Sequence, residues 1–423
     1  MMRPQVAIIG AGIAGNGAAW RLRGRAALTL FEQQARLGGH TRTSLVDRTG
    51  EPLPVDTGFI VYNETNYPLF TQLLAELKVA TQASDMSFGV SCERTGLEYS
   101  TRNVNGLFAQ RRRLFDPRFL RVWRDFLRFG REAEEILAGE PADRTVAEYL
   151  EANGYSEWFR DWFVIPMAAA IWSATARNVL EFPVVTMVRF MRNHRMLQAS
   201  GQPQWRVVRG GSRQYVDALY RAMDDVVVRR DEGVVSLRRQ RDGVLLRTDK
   251  GETQRFDYVI VATHSDQALR LLSDADPVER DVLGAIRYQK NRAILHTDAT
   301  AMPQRRRAWA SWNYRIPASE GVPVSVTYDM TRLQSLPGPE RYFVTLNRED
   351  LVHPDHIVEV IDYEHPIFDA AAIAAQRRRD ELHCGRTFFA GAYWGFGFHE
   401  DGLRSGYEAA DALWAIHTRR AAA

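Results

Sequence analysis

The sequence predicts an α/β protein built from two interleaved domains, and three observations carry that prediction. A strand, a glycine turn, a helix and a second strand open the chain between residues 5 and 32. A stretch dense in aromatics and arginine fills 100–200 and reads as mostly helical. Short strands return at 205–265 and 285–350, and 386–416 reads as strand, Gly-rich loop, helix.

In the opening unit, Val6, Ile8 and Ile9 make a short buried strand. Gly10, Gly12 and Gly15 complete G-x-G-x-x-G where that strand turns into a helix starting near Ile13 and Ala14. Gly10 permits the tight turn, Gly12 lets backbone approach a pyrophosphate, and Gly15 lets helix pack on strand. The helix amino terminus offers free N–H groups to phosphate oxygens. Ala27–Phe31 is the next strand, and Glu32, followed by Gln33, ends it. A carboxylate at that spacing accepts hydrogen bonds from a ribose diol. The unit is read as a dinucleotide site.

Composition narrows the class. The 423 residues are 45% hydrophobic and 25% charged, as expected of a soluble globular protein with room for two cores. A net charge of +3 gives no global case for nucleic acid. Basic residues are almost all arginine; the lysines are Lys78, Lys250 and Lys290. Cys92 and Cys384 have no metal or redox spacing, so no metal site is expected and a reducing compartment is. The first strand begins too early for a cleavable leader. The longest uncharged stretch, Trp162–Ala176, is too short to span a bilayer, contains Pro166 and reads as a buried helix by default, with a tunnel wall as the alternative. A cytoplasmic location is expected, with attachment to the inner membrane face left open.

The expected strands of 205–265 are Val226–Val228, Val234–Leu237, Val244–Arg247 and Tyr258–Ala262, with Asp242-Gly243 as a hairpin turn. Ala293–His296, Val324–Tyr328 and Tyr342–Leu346 follow. Segments 1–80, 205–265 and 380–423 are therefore assigned to the nucleotide domain, and 81–204 with 266–379 to a substrate domain.

Further motifs sharpen the reading. They are Arg36-Leu37-Gly38-Gly39-His40-Thr41-Arg42-Thr43, Val55-Asp56-Thr57-Gly58-Phe59, Arg209-Gly210-Gly211, Asp257–Thr263, and Thr387–Ala410 with its run Gly391-Ala392-Tyr393-Trp394-Gly395-Phe396-Gly397-Phe398-His399-Glu400-Asp401-Gly402-Leu403. In this order they resemble the flavin-containing amine oxidase superfamily. The finer details, with Ile165–Ser173, resemble a bacterial branch of predicted NAD/FAD-binding oxidoreductases found beside cyclopropane-fatty-acyl-phospholipid-synthase-like methyltransferases. The resemblance implies a Rossmann-like FAD-binding domain of the GR2 or amine-oxidase type with a discontinuous α+β substrate domain.

It also implies residue roles. Gly38 and Gly39 would touch the pyrophosphate with Arg36 nearby for charge, and His40 stands where the family usually has arginine, beside Thr41. Thr57, Gly58, Phe59 and Ile60 would bring backbone to the flavin. Val234 would meet adenine, Ala262 would end the strand that closes over the nucleotide, and Gly391 would border the site. Gly402-Leu403 would open a helix whose N–H groups face the flavin N1–C2=O edge, raising its electron affinity. Ala392 and Tyr393 stand where many relatives carry an acid. With no cysteine in the C-terminal loop, FAD is expected to be noncovalent.

On the substrate side, relatives hold a lysine near flavin N5, and Arg292 fits that position better than Lys290. Phe398 stands where an aromatic-cage tyrosine is often found. Arg292, Trp394, Phe398 and His399 are the catalytic candidates. Asp401 suits an N-cap for a helix at 402, and His264, where a proline is common, reads as structural variation. Phe115, Phe119, Val122, Phe126 and Phe129 fall on one helical face, and Arg121, Arg124, Arg128 and Arg131 on another. That helix is either a solvated domain helix or one that meets anionic phospholipid. The expected function is that of an FAD-dependent oxidoreductase acting on an apolar substrate, a fatty acyl chain, by desaturation or double-bond isomerisation with hydride transfer to flavin N5. Oxidation of a soluble amine, and a non-catalytic accessory role beside a lipid-modifying methyltransferase, are the alternatives.

Overall fold

The computed structural model describes residues 3–422 except 48–49, 142, 173, 199–200, 320–323 and 383–384. Cys384 and Ser173 thus lie outside the described residues. A five-stranded parallel sheet runs in the order Val227–Arg230, Ala27–Glu32, Gln5–Ile9, Tyr258–Val261, Thr387–Phe389. Ile9 pairs with Phe31 on one side and Val261 on the other. Its strands come from all three segments assigned to the nucleotide unit. The central strands are buried from Val6 to Ile9 and from Tyr258 to Val261, which is why they read as continuous apolar runs.

On one side of this sheet the Ile13–Leu22 helix packs along the His399–Ala422 helix. Small residues set the spacing: a Cβ on Gly406 would lie 2.1 Å from the Ala14 carbonyl oxygen, and one on Gly17 2.7 Å from Leu403 Cδ1. Another core joins Phe31, Val259 and Phe389 of the sheet to the antiparallel strands Val234–Gln240, Gly243–Thr248 and Thr253–Phe256. Gln240 pairs directly with Gly243, so the hairpin turns at Arg241-Asp242, one residue before the expected dipeptide.

The second domain holds a seven-stranded sheet in the order Ile357–Pro366, Tyr288–His296, Phe343–Leu346, Ser325–Asp329, Trp312–Ile316, Phe88–Cys92, Leu97–Ser100. Its helical layer includes Pro117–Gly139, started by Pro117 and by Asp116, whose carboxylate accepts from the Arg118 N–H. Phe119, Val122, Phe126 and Phe129 bury one face of that helix as expected. Phe115 does not join them: it ends a separate 3₁₀ turn, Arg111–Phe115, and is 86% exposed. The arginine face also divides. Arg121 pairs with Asp125 and Arg128 with Glu132, leaving Arg124 and Arg131 in solvent.

Of the Trp162–Ala176 stretch, residues 162–170 and Trp172 are buried, but the stretch is not one regular helix. Arg160–Val164 forms a wide i→i+5 turn before the Ile165–Trp172 helix. Pro166 has no N–H to give the turn before it, and widening that turn absorbs the misfit. Among the described residues, no helix is long and apolar enough to cross a membrane.

Candidate active site

A cavity of about 1090 Å³ begins at the carboxyl ends of the parallel strands, where Ile9, Gly10, Phe31, Glu32 and Ala262 line it. Such strand ends are where open α/β sheets take ligands. Gly10 has φ +100°, and a Cβ there would meet the Ala262 carbonyl oxygen at 2.8 Å. Gly12 is the opposite case: a Cβ would meet nothing within 4 Å, because the position faces the cavity. No side chain caps the helix that follows, so its first N–H groups stay available to an anion. Glu32 accepts from the N–H groups of Ala11 and Gln34, which hold its carboxylate at the cavity edge beside Gln33 and Val234.

The second glycine loop folds onto the first. Gly38 donates to the Ala11 carbonyl at 2.9 Å, and a Cβ on Gly39 would lie 3.0 Å from Gly12 Cα. Arg36 lines the cavity and donates to the carbonyls of Thr41 and Gly39, both at 2.8 Å, which shapes the loop. Burial, with the nearby Arg42 charge, lowers its pKa. Phe59 N–H donates to the His40 carbonyl, and a Cβ on Gly58 would fall 2.1 Å from that oxygen. This close approach requires glycine. Asp56, fully buried, accepts from Ser212 N–H and Oγ, Thr43 Oγ and Gln334 Nε2. Burial pushes its pKa up to about 6. An open glycine cradle, an uncapped helix terminus and a carboxylate at the ribose position fit an FAD. Gly10, Gly12, Ile13, Ala14, Glu32, Gln33, Arg36, Gly38, Gly39, His40, Thr57, Gly58, Phe59, Ile60, Val234, Ala262 and Gly391 all line the cavity that would hold it.

Four expected cofactor residues stand outside the lining. Gly15 is a packing residue, since a Cβ would lie 1.9 Å from the Gly10 carbonyl oxygen. Thr41 Oγ bonds the Tyr215 hydroxyl, which bonds His399 Nε2 at 2.7 Å. Gly402 and Leu403 do not open the C-terminal helix. It starts at His399, because Gly397, at φ +89°, turns the chain directly into it. Gly402 N–H therefore donates to the Phe398 carbonyl, and Leu403 is buried against Gly17. The N–H groups without a helical carbonyl belong to His399, Glu400 and Asp401. Asp401 is not the N-cap either. It lies inside the first turn and its carboxylate reaches back to the N–H groups of Phe396 and Phe398, at 3.0 and 3.1 Å.

The catalytic candidates separate as well. Phe398 and His399 line the cavity. The His399 ring stacks on Phe59 at 3.8 Å, and burial pushes its pKa down to about 3, so it is a neutral, fixed wall. Trp394 lies outside the lining, packed on Tyr393 and under the Arg379 guanidinium. Arg292 is drawn to Glu349 at 3.1 Å with half its side chain in solvent, while Lys290 of the same strand lines the cavity.

The sequence left a further group unmarked. His40, His264, Tyr288, Tyr363, Glu364 and His365 meet at the cavity wall. His40 stacks on Tyr363 at 5.0 Å and lies 5.3 Å from His365. His264, read from the sequence as structural variation, stacks on Tyr288 at 4.4 Å with Glu364 at 3.6 Å. His365 is oriented by a chain of amides. Arg292 N–H donates to Asn347 Oδ1, Asn347 Nδ2 to Asn291 Oδ1, and Asn291 Nδ2 to His365 Nδ1, at 2.9, 2.7 and 2.8 Å. A backbone donor at the start fixes both amides, which places the His365 proton on Nε2. Burial holds this imidazole neutral, with its pKa down to about 4.

The rest of the lining is mixed: Met86, Ile171, Trp172, Trp205, Trp312, Leu346, Phe368 and Phe396 give it apolar wall, and Arg42, Thr263, Gln267, Arg270 and Asp362 add polar groups. Phe190 of the helical domain stacks on Phe398 at 4.8 Å, and Trp172 Nε1 donates to the Phe396 carbonyl. Among the described residues, no group of three His, Cys, Asp or Glu is placed to hold a metal.

Fold and site together define an FAD-dependent oxidoreductase. The chain belongs to the flavin-containing amine oxidoreductase family, whose model matches residues 13–327. No curated protein matches the sequence. Among solved structures, the fold is similar to cyclohexylamine oxidase from Brevibacterium oxydans, at 17% identity and TM-score 0.68 over 98% of this chain and 100% of that one. It is similar to a putrescine oxidase redesigned in its cofactor binding, at 15% identity and TM-score 0.71 over 98% and 99%. It is similar to the CLA-producing fatty acid isomerase from P. acnes, at 17% identity and TM-score 0.67 over 96% and 97%.

Proposed function

We propose that the protein acts on an apolar substrate, a fatty acyl chain, either by desaturation, which passes two electrons to FAD, or by double-bond isomerisation, which returns them to the substrate. The observation that carries this is the substrate half of the cavity, walled by Met86, Ile171, Trp172, Trp312, Leu346, Phe396 and Phe398. Bound FAD supplies a two-electron acceptor. The chain's own residues exclude water and hold a carbon about 3–3.5 Å from the acceptor atom. His365 presents a neutral Nε2–H to the cavity, a donor with little basicity. A fatty acid isomerase of similar fold supports the acyl reading. Amine oxidation is the second reading. Two amine oxidases of similar fold favour it, as do Phe396 and Phe398, whose ring faces attract an ammonium.

The FAD is held without a covalent tether, the protein resides in the cytoplasm, and a lipid-modifying methyltransferase supplies its substrate or uses its product. Anaerobic mixing of the holoprotein with dispersed unsaturated acyl lipids, and separately with amines, tests the reading. Acyl lipids bleach the oxidised flavin band, or emerge with moved double bonds by mass spectrometry, and amines do neither. Bleaching by amines alone overturns the acyl assignment.

A further inference from the structure

We propose that the rim around the start of the Pro117–Gly139 helix docks the protein on the surface of an anionic phospholipid bilayer. Eight large apolar side chains are exposed among the described residues, and five fall between 104 and 127. They are Val104 (73%), Leu114 (43%), Phe115 (86%), Leu120 (45%) and Leu127 (55%). Isolated exposed apolar residues need no explanation, but a concentration in one short segment does.

The five are joined by structure. Leu120, Arg124, Leu127 and Arg131 follow one another at helical spacing, an exposed stripe opposite the buried Phe119, Val122, Phe126 and Phe129. Leu114 and Phe115 belong to the 3₁₀ turn that feeds this helix through Asp116. Val104 starts the short helix Val104–Leu107, and Arg111 ties that helix to the turn by donating to Asn105 Oδ1 and the Phe108 carbonyl, both at 2.9 Å.

Charge selects the occupant. Residues 102–131 hold nine arginines and two acids, Asp116 and Asp125. Both acids are already engaged, Asp116 by Arg113 and Arg118 and Asp125 by Arg121 and Ser156. Arg112, Arg124 and Arg131 are exposed with no acidic partner among the described residues. Apolar side chains interleaved with free guanidinium groups of one sign match the boundary between acyl chains and anionic headgroups. Arginine stems can lie along the apolar layer while their heads stay at the phosphates. The surface differs from the arginine face expected from sequence, because Arg121 and Arg128 are consumed by ion pairs within the fold. It extends the acyl-chain reading by placing the enzyme at a store of acyl chains, but rests on residues outside the cavity.

The test is sedimentation of the holoprotein with vesicles of phosphatidylglycerol and phosphatidylcholine, and with phosphatidylcholine alone. Each arginine near an anionic surface is worth about fivefold in partitioning. Arg112→Gln/Arg124→Gln/Arg131→Gln should therefore weaken binding to the anionic vesicles about 100-fold, and high salt should weaken the wild type similarly. Phe115→Ser/Leu127→Ser should weaken binding at every salt concentration. FAD absorbance and turnover of detergent-dispersed substrate, unchanged in both variants, show that fold and cavity are intact. No binding by FAD-loaded wild type, or equal binding by the variants, overturns the proposal. So does a dimer in solution that Phe115→Ser/Leu127→Ser dissolves, since the rim would then cover a second copy. Turnover of dispersed substrate reports on the acyl reading whichever way the vesicles answer.

Discussion

Acidification to pH 5 should cost this protein about 6–7 kcal/mol of folding stability, and four buried histidines set the sign. His194, His296 and His365 have pKa values pushed down to about 4 and His399 to about 3, in each case first by burial. An unfolded histidine titrates near 6.5, so below that pH the unfolded chain takes up protons that the folded chain refuses. The stability these rings contribute is complete above the unfolded value and falls as pH drops toward the folded one. At pH 5 each has lost about 2 kcal/mol, about 8 in all. Asp56 works in the other direction. Burial raises its pKa from 3.8 to about 6, so the folded state gains protons first as pH falls and recovers about 1.4 kcal/mol at pH 5. The histidines win, and the net loss is a large part of the 5–15 kcal/mol typical of a domain. Urea unfolding followed by tryptophan fluorescence at pH 7.5, 6 and 5 measures it. His194→Phe, in a site where the ring stacks on Phe190 at 3.9 Å, should remove about a quarter of the histidine contribution. Stability that stays flat or rises between pH 7.5 and 5 refutes the assignment of these rings as neutral and solvent-free.

Two further outcomes are expected. Gly12→Val should lower the FAD content of purified protein at least tenfold, by absorbance ratio, with the apo-fold's thermal unfolding little changed, since its Cβ enters the cavity with no protein atom within 4 Å. Asn291→Leu should cost about 1–3 kcal/mol in urea, by leaving the Asn347 amide and His365 Nδ1 unpaired, and nitrogen-15 spectra should show His365 as a mixture of tautomers where the wild type shows one.

The nucleotide half of the site was legible because its chemistry is local. Gly10, Gly12, Glu32, Gly38 and Gly58 act within a few residues of one another or of a strand end, so their spacing carries the geometry. The start of the last helix was misplaced by three residues because a glycine before an apolar run looks like a helix entrance. Gly402 is there for another reason: a Cβ would lie 2.6 Å from Ile13 Cγ2, in the contact between two helices nearly four hundred residues apart. The cluster of His264, Tyr288, Tyr363, Glu364 and His365 had no local signal at all. It is assembled by antiparallel pairing of Tyr288 with Pro366 and Lys290 with Glu364, a register that neither strand encodes alone. The division of the arginine face was legible but overlooked, since Arg121–Asp125 and Arg128–Glu132 are i,i+4 pairs written in the sequence.

The two halves of the cavity are locked to each other by the first turn of the C-terminal helix. Asp401 holds the N–H groups of Phe396 and Phe398, and so fixes the loop that carries both rings. One residue earlier, Glu400 accepts from the N–H groups of Leu69 and Phe70, both at 3.0 Å, and anchors the start of the Pro68–Glu76 helix. Two residues earlier, His399 stacks on Phe59 of the loop that would meet the flavin. One turn on, Gly402 and Gly406 press against the helix whose amino terminus faces the pyrophosphate position. A carbon resting on Phe398 is therefore positioned by the same helix that braces the nucleotide cradle. Hydride transfer depends steeply on the distance between donor and acceptor, and Asp401 ties the loop that carries Phe396 and Phe398 to the helix that braces the nucleotide cradle.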